Sequence, residues 1–188
     1  MKALLKRYII TFVAGIVVFA IGKLLFLFLN GSVYQHISVA EVFRILYHGF
    51  SMDCTVAAYV AALPSLAWCV ALWTGSKGAL DTVMRIYFAL IAMALSLCIG
   101  LDAVLYGYWQ FKLDITPFSY FLSSPSAAFA SAVWWQILFG VLGWIVLSVA
   151  IYWLYVWGVL KLGGIITRVY PLGKRIWCTV GGVLLTAL

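Results

Sequence analysis

Apolar stretches long enough to cross a bilayer fill nearly all of this 188-residue chain. Segments 8–29, 50–73, 82–108 and 127–160 each reach the roughly 20 residues that a helix needs to span about 30 Å of hydrocarbon. Hydrophobic residues make up 66% of the sequence and charged residues 9%, with a mean hydropathy of +1.13. A soluble domain of this size has too much surface to hide so much apolar area. In lipid every backbone polar group must be satisfied within the protein, which makes helices the economical solution. The expected fold is therefore all-α: a polytopic membrane helix bundle, one transmembrane domain over 1–188 with four complete spans. A fifth apolar stretch, 176–188, has 13 residues. As a helix it would reach roughly 20 Å, so it is expected to be an incomplete span. The fourth, at 34 residues, would be roughly 51 Å long and should tilt or project from the bilayer.

The net charge of +7 would suggest nucleic acid in a soluble protein. Here the basic residues instead sort by side. Lys2, Lys6, Arg7, Lys77, Arg85, Lys161, Arg168, Lys174 and Arg175 share one side of this topology, which is 9 of the 12. Arg44 and Lys112 fall on the other side, and Lys23 lies within a span. The positive-inside rule then puts the N-terminus in the cytoplasm. The run from Tyr8 to Leu29 is too long for a secretory h-region and lacks a small-x-small cleavage site, so it reads as an uncleaved anchor.

Local signals refine the outline. Asn30-Gly31-Ser32 ends the first span. Ser38 and Glu41 have capping-box spacing and open an amphipathic segment, 38–50. Val39, Val42, Phe43, Leu46 and Phe50 fall on one face, Glu41, Arg44 and His48 on the other. Such a segment is expected as an interfacial amphipathic helix, separate from the second span. Pro64 sits in the middle of that span, where it should kink the helix. Ser124-Pro125 has the form of an N-cap and first helical residue for the fourth span.

Motifs of soluble enzymes are missing: no phosphate-binding glycine loop, no H-E-x-x-H, no G-x-S-x-G. The four cysteines, Cys54, Cys69, Cys98 and Cys178, lie in apolar stretches without C-x-x-C spacing and read as small core residues. His36 and His48, the two histidines, lie near the first outer loop, where a lone histidine is usually solvated or hydrogen-bonded, which argues against a metal. Charges inside the spans say more. Lys23, Asp53 and Asp102 reach similar depth, roughly 5–10 Å below the outer surface. Unpaired charges there are costly, so Lys23 is expected to pair with Asp53 or Asp102; the alternative is that each snorkels separately. The outer loop carries Tyr106, Tyr108, Trp109, Phe111, Phe118, Tyr120 and Phe121. They read as an aromatic belt at headgroup level. A sharper alternative is a lipid-headgroup platform in which Arg44 and Lys112 meet a phosphate. Trp134 and Trp135 lie deeper and are expected to pack in the bundle.

The segment from Asp102 through Tyr106, Trp109, Phe111, Lys112, Leu113 and Asp114 to Ser124-Pro125 and Ser131 resembles a known one. It is similar to the outer loop and adjoining helices in the membrane domain of the lipoteichoic acid synthase-like family. That family comprises phosphoglycerol and phosphoethanolamine transferases and is often labelled as sulfatases. His48-Gly-Phe-Ser-Met-Asp53, followed by Ala62-Leu-Pro64, resembles the family's entry to the second span, although the family more often carries Arg near Met52. The resemblance implies an enzyme whose chemistry belongs to an extracytoplasmic domain of the alkaline phosphatase superfamily. There a metal-activated threonine takes a phospho-headgroup from a lipid. No residue here matches that threonine or its divalent-metal ligands, so no catalytic residue and no cofactor is carried over to this chain.

The expected function is thus a membrane anchor, and a lipid-facing approach, for a phospho-headgroup transferase in a bacterial cytoplasmic (inner) membrane. The catalytic domain, lying C-terminal to these residues, is absent. Expected partners are the lipid bilayer and a phospholipid substrate, with no nucleic acid. The alternative is a standalone small bundle serving as a transporter subunit or assembly partner, motivated by the intramembrane charges. Lys23, Arg44, Asp53, Asp102 and Lys112 are the candidate site residues.

Overall fold

In this computed structural model residues 2–34, 37–74, 77–110, 112–124, 133–162 and 172–187 are described. Every regular element among them is helical: α1 (Lys2–Leu29), α2 (Val39–Thr74), α3 (Lys77–Trp109), α4 (Thr116–Ser123), α5 (Trp134–Val156), a π-helical turn (Trp157–Leu162) and α6 (Leu172–Ala187). Four of them, α1, α2, α3 and α5, are long and apolar enough to cross a membrane. The chain is an all-α membrane protein. At 16 residues, α6 measures about 24 Å, shorter than the hydrocarbon layer.

The amphipathic segment does not form a helix of its own. Ser38 caps it as its spacing predicts: Glu41 Oε2 accepts from the Ser38 backbone N–H at 2.7 Å, and the Glu41 N–H donates back to Ser38 Oγ at 3.3 Å. The helix then runs without interruption into the second span, 36 residues from Val39 to Thr74, or about 54 Å. Between Ser38 and Pro64 the sequence offers a single glycine and no proline, so nothing ends the helix where amphipathic turns to apolar. Of the apolar face, Val39, Phe43 and Phe50 are exposed, and Val42 and Leu46 are half-buried.

The helix also passes through Pro64. Proline has no N–H, so the carbonyl of Val60 loses its helical partner. The hydroxyl of Tyr87 in α3 donates to that carbonyl at 2.8 Å. Ser65 Oγ donates to Ala61 O at 2.7 Å, one residue on. Polar side chains thus hold the helix together where a backbone donor is missing, as a membrane interior requires.

Small residues bring α1 and α2 close. Ala57 and Ala61 are completely buried, and a Cβ on Gly15 would lie 2.7 Å from that of Ala57. Close backbone approach of this kind replaces the hydrophobic drive that lipid removes. α3 and α5 are joined by Ser96 and Ser148 hydroxyls 2.6 Å apart, by Trp144 Nε1 donating to Met93 O at 3.1 Å, and by the stacked rings of Phe88 and Tyr155, 5.2 Å apart. α6 rests on α2: Trp73 Nε1 donates to Thr179 Oγ1 at 3.0 Å, and Cys69 and Cys178 are both buried nearby. Cys98, by contrast, is exposed, so it is not a core residue.

The start of the fourth span differs from expectation. The fourth span starts at Trp134, not 127; Val133 before it is extended, at φ −76° and ψ 141°, and residues 125–132 lie outside the described residues. Ser124 closes helix α4 as its C-cap, and the helix start read at Ser124-Pro125 falls on residues outside those described. α4 itself was not legible as a helix: Asp114 accepts from the Thr116 N–H at 2.9 Å, and Pro117 sits in its first turn. Trp134 and Trp135 do not pack in the bundle but are exposed, at 73% and 47%.

Candidate functional site

The C-terminal end of α1, the first turns of α2 and the C-terminal end of α3 meet at one end of the bundle. Lys23 and Asp53 face each other there across α1 and α2. Their ion pair is 2.6 Å long, with Asp53 nearly buried. Gly49, one turn before Asp53, makes room for it. A Cβ at that position would collide with the Lys23 ammonium and lie 2.7 Å from its Cε.

Asp102 does not join that pair. It takes Lys112 instead, at 3.0 Å, and its other oxygen accepts the Leu113 backbone N–H at 2.9 Å. The expected cluster therefore resolves into two neutral pairs, one across helices and one that ties the chain after α3 back onto α3. Arg44 is exposed on α2; among the described residues it forms no ion pair with the other four site residues. The Lys112 ammonium is directed at Asp102.

That ammonium also sits 3.2 Å above the centroid of the Phe26 ring and 5.7 Å from that of Tyr106. Phe26 and Tyr106 meet edge to face, 4.9 Å apart at 67°. Tyr34 stacks on Tyr106 at 6.1 Å and donates its hydroxyl to that of Tyr106 at 2.8 Å. This hydrogen bond, with partial burial and the nearby Tyr106 and Asp102, holds the Tyr34 phenol up to about 12. Tyr106 thus forms a wall of the site. Tyr120 and Phe121 on α4 are exposed, as belt residues are.

Asn30, read from sequence only as a helix breaker, is 3% exposed. Its amide donates to Phe26 O at 3.0 Å and to Ala103 O at 2.9 Å, closing α1 and locking it to α3. Gln110 ends α3 with φ 58°, the left-handed C-cap position that usually takes glycine or asparagine. Its N–H returns to Tyr106 O at 2.9 Å, which turns the chain so that Lys112 comes back over Phe26. A polar residue followed by glycine, as at Asn30-Gly31, was the available signal for Asn30; nothing in the sequence marked Gln110.

Comparison with family models, with curated proteins and with solved structures finds no match. The other sequence candidates place as follows. His48 is exposed, its ring 5.8 Å from that of Tyr47, and His36 and Phe111 lie outside the described residues. At the opposite end Arg7, one of the nine basic residues sharing a side in the sequence, is 4% exposed and lies over the Trp68 ring at 5.5 Å.

Proposed function

We propose that this chain is the membrane domain of a phospho-headgroup transferase of the lipoteichoic acid synthase-like family, set in a bacterial cytoplasmic membrane with its N-terminus inside. The observation that carries the reading is the resemblance of the stretch from Asp102 to Ser131. Its support from the structure is that Asp102, Tyr106 and Lys112, residues of that stretch, converge at one end of the bundle. A domain held beyond that end would receive lipid from it. Asp53 and Asp102 are both ion-paired, which weighs against a transport pathway built on bare carboxylates.

No group of three or more His, Cys, Asp or Glu side chains converges among the described residues. The divalent metal that the resemblance implies would be held by a further domain, to which the chemistry belongs.

The test is to read the coding DNA past Leu188 and to assay membranes containing the encoded protein for transfer of a labelled headgroup from phosphatidylglycerol or phosphatidylethanolamine. The reading expects a metal-binding domain in frame and metal-dependent transfer. A stop codon at that point, with no such domain in the frame or the adjacent gene, would sink it.

A further inference from the structure

The pairing of Lys112 with Phe26, Tyr106 and Asp102 has the form of a bound ligand and its receptor within one chain. An ammonium group lies against two aromatic walls and one carboxylate, the arrangement by which proteins recognise alkylammonium compounds. Each wall is anchored without Lys112. Phe26 is 7% exposed in the α1–α3 contact. Tyr106 is held by the hydroxyl of Tyr34 at 2.8 Å. Asp102 keeps one oxygen on the Leu113 N–H at 2.9 Å and leaves the other for the cation. The lysine itself is loosely kept, for its side chain is 62% exposed.

We propose that Phe26, Tyr106 and Asp102 form a binding site for an organic ammonium cation, with Lys112 as its exchangeable built-in occupant. Displaced, Lys112 carries its charge a few ångströms away, where it can meet an anionic group on the same ligand. The site takes the cation whether it comes as a free molecule or as part of a lipid headgroup, because the walls contact only the ammonium. The proposal stands on this geometry and does not depend on the transferase reading.

The test uses tetramethylammonium chloride and the full chain in phosphatidylglycerol nanodiscs, with binding read by saturation transfer to the methyl protons. Lys112→Met removes the occupant's charge and keeps its stem. Binding should tighten about tenfold, the effect of removing one exposed ion pair and the cation–π contacts with Phe26 and Tyr106 that compete in cis. Lys112→Arg, which keeps a cation in place, should show no such gain. Adding Asp102→Asn to Lys112→Met should lose the gain again. Thermal melting of each variant shows that the bundle is intact. Including phosphatidylcholine in the disc separates the sources. Weakened tetramethylammonium binding places the ligand in the bilayer, and unchanged binding makes it a free cation. Equal affinity in wild type and Lys112→Met, or a gain that survives Asp102→Asn in a folded variant, would overturn the proposal.

Discussion

Lys23 and Gly49 illustrate how one side chain depends on the absence of another. Lys23 reaches Asp53 only because position 49 has no Cβ. Gly49→Ala should therefore destabilise the protein by about 1–2 kcal/mol, the range for overpacking a filled site. Lys23→Met strands the Asp53 carboxylate, which is 8% exposed, while Lys23 is 24% exposed. That change should cost about 2–3 kcal/mol, less than a fully buried pair. In the Lys23→Met/Asp53→Asn background no charge is stranded, the ammonium is gone, and the uncharged side chain, no longer tied to position 53, can swing aside. Gly49→Ala should then change sign and stabilise α2 by up to about 1 kcal/mol, the helix propensity difference. Thermal melting in detergent measures all of these. If Gly49→Ala costs the same in both backgrounds, the glycine serves some purpose other than housing Lys23.

At the scale of the element, α2 is a helix whose weakest point is repaired from outside. Pro64 leaves the Val60 carbonyl open, and Tyr87 closes it. Tyr87→Phe removes the donor inside a membrane span and should cost about 1–2 kcal/mol. Pro64→Ala supplies a backbone N–H in the helix itself, so Tyr87→Phe should cost less than half as much in that background. A double-mutant cycle on melting temperature decides it; equal costs with proline or alanine at 64 would mean that the hydroxyl acts on something other than the proline gap. The same element shows why a separate interfacial helix was expected and not found. Hydrophobic pattern reports which faces are apolar, and 39–50 differs in pattern from 51–73. Helix ends are set by caps, glycine and proline, and a strong cap exists only at Ser38.

For the whole molecule, four membrane-length helices and the sorting of lysine and arginine make one orientation testable. With the N-terminus inside, a cysteine replacing Lys77 or Lys174 should be shielded from an impermeant thiol reagent in intact spheroplasts, and one replacing Lys112 should react, in a background without native cysteines. Reaction at 77 or 174 with protection at 112 would invert the molecule. The exposed apolar surface is uneven: only Ile151 and Tyr155 of α5 are buried, whereas α2 carries much of the core, including Ala57, Val60, Ala61, Trp68 and Cys69. α1 and α6 pack closely on α2, and α5 packs on α3.

Fold class and span number were legible from sequence, because the cost of exposing backbone and charge to lipid leaves few options for a chain so apolar. The Ser38–Glu41 cap was legible too, since both partners lie within one turn. Similar depth made the pairing of Lys23 with an aspartate one of two readings, separate snorkelling being the other, and the structure shows the pair. Which aspartate it takes did not follow. Depth is one coordinate, and the choice turns on which helix face is adjacent, on the missing Cβ of Gly49 and on the left-handed turn at Gln110 that brings Lys112 back to Asp102. Those depend on contacts between residues far apart in the chain, as does the role of Asn30 between α1 and α3. Sequence determines what must be buried or paired; the packing of helix on helix decides with whom.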